Sequence, residues 1–332
     1  MGQRFRFDPE AERQVYEVSN LKGVSSVIAF PNIRIAKSGL AGVAIESDRI
    51  YPGLVGEDVG CGMSLFMLDL QARKVDSQLF LSRMRKLREP WIADASRMME
   101  EAGLPAELHR AALGTLGGGD HFCEIQSFGT AADGWSLPTL PRDTAYLLVH
   151  SGSRSLGATI ASLARHPSPD GLEPGSDDEV SYLAIHDVAV RWASINRKAI
   201  ALRVASLMGV ELHLACDVPH NLVERREGKW LHRKGTARAE GGVVPVAGFR
   251  NSPSYLVTPS ARIGDFGHSL PPSAASRYQT VDQLDSGQDG KGHLELTGGA
   301  GSSVAEIQRF DVATPLASFR PLATFKEYAA QR

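Results

Sequence analysis

The chain has 332 residues, 42% hydrophobic and 22% charged, with 36 basic and 38 acidic side chains for a net charge of −2. That is enough apolar material for a sizeable core, and the balance excludes a global basic field, so any polyanion must be met by a local patch. Three cysteines do not make a disulfide framework and fit free or metal-bound thiols in a reducing, cytosolic compartment. The N-terminus is polar, and no 18 apolar residues run together, so neither a signal peptide nor a membrane span is expected.

In chain order, residues 1–20 read as an N-terminal extension. The β-branched runs VSSVIAF, GVAIES and SLFMLDL, separated by glycine turns, predict strands. Apolar spacing of three and four predicts one helix over 78–103. YLLVH at 146–150 predicts a strand ending on a histidine. Residues 178–208 carry the longest helical pattern, stopped by Gly209. Gly-, Pro- and Ser-rich loops are expected at 131–142, 167–177 and 285–303. With no sharp composition break, the expectation is a single α+β domain, 1–332.

The stretch 57-EDVGCGM-63 places a cysteine between two glycines, three residues after an aspartate. Asp58 and Cys61 can face one ion from a tight turn, and the glycines at 60 and 62 remove Cβ bulk so that backbone and metal can approach. Four of the ten histidines stand in similarly punctuated stretches: 114-GTLGGGDHFCEI-125, 150-HSGSRSLG-157, 220-HNLVER-225 and 232-HRKGTAR-238. Carboxylate, thiolate and imidazole together suit a borderline divalent ion, and one thiolate can bridge two. Elsewhere the histidines (109, 166, 186, 213, 293) read as surface or core residues. Cys123 and Cys216 read as core thiols, and Trp192 and Trp230 as packing residues. Arg225 and Arg226 read as a solvated helix face.

In order and spacing, these five motifs resemble those of the RtcB family of RNA ligases, over a span from about residue 20 to the C-terminus. The stretches 248-GFRNSPSYLV-257 and 319-FRPLATFK-326 resemble the shorter branch of that family, whose members are often associated with a release-factor-like protein. The resemblance implies an RtcB-like fold with a central metal-containing cleft, and a monomer. It implies GTP- and Mn²⁺-dependent joining of RNA 2′,3′-cyclic phosphate or 3′-phosphate ends to 5′-hydroxyl ends, through a guanylylated histidine. It implies a two-metal centre from Asp58, Cys61, His121, His150 and His220, with Cys61 as the bridging thiolate. Asp120, Ser153, Arg154, Asn221, Arg250 and Lys326 fall at nucleotide or phosphate positions. Arg233, Lys234 and Arg238 read as the local basic patch, and Asn196 and Arg197 as support behind the centre.

The chain departs from the family pattern where the nucleophile belongs. The matching stretch reads 269-SLPPSAASRY-278 and puts Pro272 there, and proline has no nucleophilic atom. His268, four residues earlier, is the candidate substitute. An early acid and histidine of the family read Asn32 and Arg34, an asparagine reads Asp120, and the element whose tyrosine packs near the guanine is replaced by the 285–303 loop. Three activities follow as alternatives: ligation through a different nucleophile, metal-dependent phosphatase or phosphodiesterase action on RNA ends without guanylylation, and non-catalytic binding of RNA ends.

Overall fold

The pleated backbone of a strand sends successive side chains to opposite faces, and the predicted strands all form. The computed structural model describes residues 9–36, 38–89, 91, 94–129, 140–163, 170–248, 252–273 and 313–326. In chain order the elements are α1 (Pro9–Ser19), β1 (Val24–Ala36), β2 (Gly39–Ser47), β3 (Gly62–Gln71), α2 (Ser77–Met84), α3 (Ala95–Glu101), β4 (Phe122–Phe128) and β5 (Thr144–Ser151). There follow α4 (Ser155–Leu163), α5 (Asp177–Met208), β6 (Leu212–Pro219), β7 (Asn221–Arg226), β8 (Lys229–Lys234), β9 (Ala237–Arg238), β10 (Val244–Val246), β11 (Ser254–Pro259), β12 (Ser269–Leu270) and β13 (Ala313–Phe325).

Two main sheets carry the site. The smaller runs β1-β2-β8-β7, the larger β10-β11-β13-β4-β5-β3-β6, and β12 pairs with β9. Every strand pairing in them is antiparallel, so the protein is of mixed helix and sheet, as the α+β expectation had it. The larger sheet curls until β10 meets β6 and β3. Its inner face packs Met63, Leu65, Tyr146, Leu148, Leu256 and Phe319. Its outer face packs Phe66, Cys123, Ile125, Leu147 and Val149 against Ile200, Ala201 and Val204 of α5.

Helix α5 is the spine. Ser176 caps its first turn by accepting from Glu179 N. Gly209 ends it in the left-handed conformation at φ 70°, where glycine alone is unstrained. Its first half packs Ala189 and Trp192 into a second apolar cluster with Val59, Leu113, Val223 and Trp230. No helix among the described residues is long and apolar enough to cross a membrane.

The single helix predicted over 78–103 is instead two short helices, α2 and α3, with a 3₁₀ turn at Arg85–Arg88 between them. The apolar spacing is real, because Phe80, Met84, Leu87, Ala95 and Met99 are all buried. Pro90 lacks an N–H and disfavours helix at the residue before it, which breaks the run. Residues 1–20, read as an extension, contain α1, whose Ala11, Val15 and Val18 lie along one face and pack with β1 and β2. The loop expected at 285–303, and most of that at 131–142, lie outside the described residues.

Candidate metal centre

Antiparallel pairing of four adjacent strands brings the beginnings of β3 and β4 to the same edge as the ends of β5 and β6. Cys61 stands just before β3, His121 just before β4, His150 near the end of β5 and His220 just after β6. The register fixes this: Phe122 pairs with His150, Gly62 with Ser151 and Gly62 with Pro219, and His220 N donates to Cys61 O at 2.7 Å. Residues up to 159 positions apart in the chain thereby become neighbours.

The five predicted ligands converge. Cys61 Sγ lies 3.3 Å from both His121 Nε2 and His150 Nε2. His150 Nε2 lies 3.2 Å from His220 Nε2, and His121 Nε2 lies 2.9 Å from Asp58 Oδ2. Donor atoms of Cys61, His121 and His150 fall within 4.8 Å of one another. The contacts run as one chain, Asp58–His121–Cys61–His150–His220, with the sulfur at its middle.

Protonation suits cation binding. His150 Nδ1 lies 3.0 Å from the backbone carbonyl of Asp120. A carbonyl only accepts, so Nδ1 carries the proton and Nε2 presents its lone pair to the centre. Burial, followed by the charges of His220 and His121, holds His150 well below the ordinary imidazole range. Burial, followed by the charge of Arg197, takes His220 down to about 3. Both rings are therefore neutral at pH 7, with lone pairs available to a cation. For Asp58, burial would raise the pKa, but the hydrogen bond and charge of His121 outweigh it and hold the carboxyl below its usual value. Burial and the Asp58 charge push the Cys61 thiol up; a cation between these groups reverses that, since a coordinating thiol is deprotonated. Lone pairs of two neutral imidazoles, a carboxylate and a sulfur crowded around one point fit a borderline divalent ion.

The glycines around Cys61 serve packing. A Cβ on Gly60, whose φ is 79°, would stand 2.7 Å from Val190 Cα of α5, and one on Gly62 would stand 2.6 Å from Val218 O of β6. The helix and the neighbouring strand, more than a metal, require the small residues. Asn196 and Arg197 of α5 act as the sequence predicts, as braces. Arg197 donates from Nη1 to Gly60 O at 2.8 Å and to Ser151 O at 3.0 Å. Asn196 accepts from Gly114 N at 2.8 Å and donates to Ser151 Oγ and Gly152 O.

Four of the predicted phosphate or nucleotide residues contact the segments that carry these five side chains or the Phe122 ring beside them. Ser153 N donates to Asp58 Oδ1 at 3.1 Å, while its buried Oγ has no partner among the described residues. Arg154 has φ 59° and packs over Gly117. Asn221 donates to Asp58 O and accepts from Gly235 N. Lys326 lies over the Phe122 ring, 5.7 Å from its centroid, and that ring meets His150 edge-on. Arg250 lies outside the described residues. Glu124, which the sequence reading passed over, pairs with Thr324 on the same face as Phe122; burial raises its pKa. The period-two offset from Phe122 was the available signal.

Three readings are corrected. Arg233 and Lys234 do not form an exposed basic patch. Arg233 is fully buried and ion-paired with Glu224 and Glu240, Lys234 is buried with its ammonium on Ser38 O, and Arg238 pairs with Glu224 and Glu240. Strand pairing in the smaller sheet forces these alternating side chains inward. Arg225 and Arg226 lie on strand β7, with Arg225 over Trp230 and Arg226 paired to Glu240. His232 is a core histidine, accepting from Tyr51 N at 2.9 Å.

His268 has φ 48°, and its carbonyl accepts from Ala239 N and Arg233 Nη2. Side chains alternate along β8, so Arg233 and His268 occupy the face of the smaller sheet opposite Lys234 and its register partner Asn221. Pro272 is buried, its carbonyl accepting from Ala247 N at 2.8 Å.

A family model described as "tRNA-splicing ligase RtcB" matches residues 90–268, a span that contains His121, His150 and His220. The chain is 37% identical over 281 residues to the RNA-splicing ligase RtcB2 of Escherichia coli, covering 81% of this chain and 73% of that protein. It is 24% identical to the RNA-splicing ligase RtcB homolog 1 of Entamoeba histolytica, covering 70% of this chain and 60% of that one. It is also 24% identical to the tRNA-splicing ligase RtcB of Archaeoglobus fulgidus, covering 75% of this chain and 72% of that one.

Proposed function

Since the chain belongs to the RtcB family, we propose that it is an RNA ligase. In this reading it joins RNA 2′,3′-cyclic phosphate or 3′-phosphate ends to 5′-hydroxyl ends with GTP and two Mn²⁺ ions. The observation that carries it is the convergence of Asp58, Cys61, His121, His150 and His220 into one chain of contacts centred on the Cys61 sulfur. Asp58, Cys61 and His121 would hold one ion and Cys61, His150 and His220 the other. Such ions, when bound, neutralise phosphate charge and stabilise an in-line displacement.

The chain's own residues suit the remaining tasks. His150 keeps its Nδ1 proton on Asp120 O and so holds its lone pair inward. Ser153, with an unpartnered hydroxyl beside Asp58, can donate to a phosphate oxygen, and the Arg154 guanidinium can grip one bidentately. Phe122 presents its ring edge-on to His150. Lys326 supplies a cation over the same ring.

Two observations favour a second reading, in which ends are bound or hydrolysed without guanylylation. Pro272 takes the usual nucleophile position and is buried, and His268 lies across the smaller sheet from Asn221. Intact-mass measurement after incubation with GTP and MnCl₂ separates the two. A gain of one guanylate, lost in His268→Ala, supports ligation with His268 as nucleophile. A gain retained in His268→Ala supports ligation through another residue. No gain, with metal bound, sinks guanylylation and leaves phosphate release from RNA 3′-phosphate ends as the activity to assay.

A further inference from the structure

Arg34 and Asp120 are both departures from the family pattern, and they meet. Arg34 on β1 places Nη2 3.2 Å from Asp120 Oδ2, joining the smaller sheet to the loop that carries His121. The Asp120 backbone is held at the centre because its carbonyl accepts from His150 Nδ1. Its carboxylate points outward and is 80% exposed, and Arg34 is 40% exposed. The guanidinium stands beside the centre, because the carboxylate it pairs with belongs to the residue directly before His121. An exposed ion pair made through one nitrogen contributes little to stability. A phosphate monoester carries more charge than a carboxylate and matches the guanidinium fork bidentately.

We infer that Arg34 is the residue that takes hold of the phosphate on the substrate's end, and that Asp120 occupies its guanidinium until that phosphate displaces it. This rests on the reading of the centre as a site for phosphate-bearing RNA ends. The paired departures then make sense together. A lone carboxylate beside the centre would repel the substrate, but here it shields and aims the cation that receives it. Arg34 becomes a positioning residue and Asp120 its exchangeable partner.

The test uses the full chain loaded with Mn²⁺ and without GTP, so that no joining occurs, and the RNA is recovered after each titration to verify that its 3′-phosphate is intact. Fluorescence anisotropy compares a short labelled RNA ending in a 3′-phosphate with the same RNA ending in a 3′-hydroxyl. The wild type is expected to prefer the phosphate. Arg34→Gln is expected to lose about 10- to 100-fold in affinity for the 3′-phosphate RNA and little for the 3′-hydroxyl RNA. Asp120→Asn, which keeps the backbone carbonyl that holds His150, is expected to bind the 3′-phosphate RNA a few-fold tighter, roughly the worth of the competing pair. If Asp120→Asn weakens binding alongside Arg34→Gln, the pair is structural and the inference is overturned. It is overturned equally if Arg34→Gln binds both RNAs as the wild type does. A wild type that does not distinguish the two ends removes the RNA-end reading itself, and the inference with it. Absence of joining activity, with discrimination still dependent on Arg34, removes ligation alone.

Discussion

Arg197 and Asp217 form a buried forked pair beside the candidate metal centre, with Nε 2.6 Å from Oδ1 and Nη2 3.0 Å from Oδ2. The remaining nitrogen, Nη1, donates to Gly60 O and Ser151 O, each one residue from a ligand. One side chain thus fixes the backbones beside Cys61 and His150. Removing it strands a buried carboxylate. We expect Arg197→Met to destabilise the chain by about 3–5 kcal/mol in urea titration and to lower its metal content. Arg197→Lys should rescue little, because an ammonium cannot reproduce the fork.

If Cys61 is shared between two ions, its loss should cost more than one ligand's worth of binding. Cys61→Ser is expected to reduce the number of metal ions bound per chain, read by elemental analysis after dialysis. In the cobalt-loaded protein the thiolate-to-metal absorption should disappear. Metal at a hundredfold excess over its dissociation constant should stabilise the wild type by about 2.7 kcal/mol, seen as a raised Tm that chelation reverses. Equal metal content and equal absorption in the variant would remove Cys61 from the ligand set.

Burial takes His232 down to about 4 in the folded chain, the hydrogen bond to Ile45 O opposing only in part. The unfolded value is near 6.5. Between these values the unfolded chain binds a proton that the folded chain does not, so stability rises with pH across that window. The contribution is fully present above about pH 6.5 and is lost as pH falls toward 4, amounting to about 3 kcal/mol. Urea titrations of the metal-free chain between pH 7 and pH 4.5 should show a shallower decline in His232→Gln, which can still accept from Tyr51 N. Parallel declines would rule His232 out as a source.

Gly117 has φ 85°, and an added Cβ would fall within the Arg154 guanidinium. Gly117→Ala is expected to cost about 1–3 kcal/mol of stability through backbone strain. By displacing Arg154 from the site it should lower activity on RNA ends by about 100-fold. Unchanged activity, with the expected loss of stability, would show that Arg154 does not act on the substrate.

Much of the site was legible because its residues sit in short, chemically odd stretches. Asp58 and Cys61 share a turn, and His121, His150 and His220 each border a glycine-rich or polar segment. Asn196 and Arg197 were readable as support. Glu124 was missed because a single carboxylate in an apolar run looks like a strand's solvent face until the strand is placed in a curled sheet. Arg233 and Lys234 misled for the opposite reason. Sequence counts their charges, but only the pairing of β8 with β2 and β7 shows both faces covered.

By itself, the sequence determined the elements that local chemistry controls. The strands, the long helix stopped by Gly209, and the donor types available for a metal all follow from neighbouring residues. Tertiary structure alone decided which donors meet. Strand order β4-β5-β3-β6 brings four chain-distant segments to one edge. It also pairs Arg34 with Asp120 and puts His268 across the smaller sheet from Asn221. Such facts depend on register and on the face a side chain takes. A slip of one residue would reverse every face, and that choice is made by burial of the whole core.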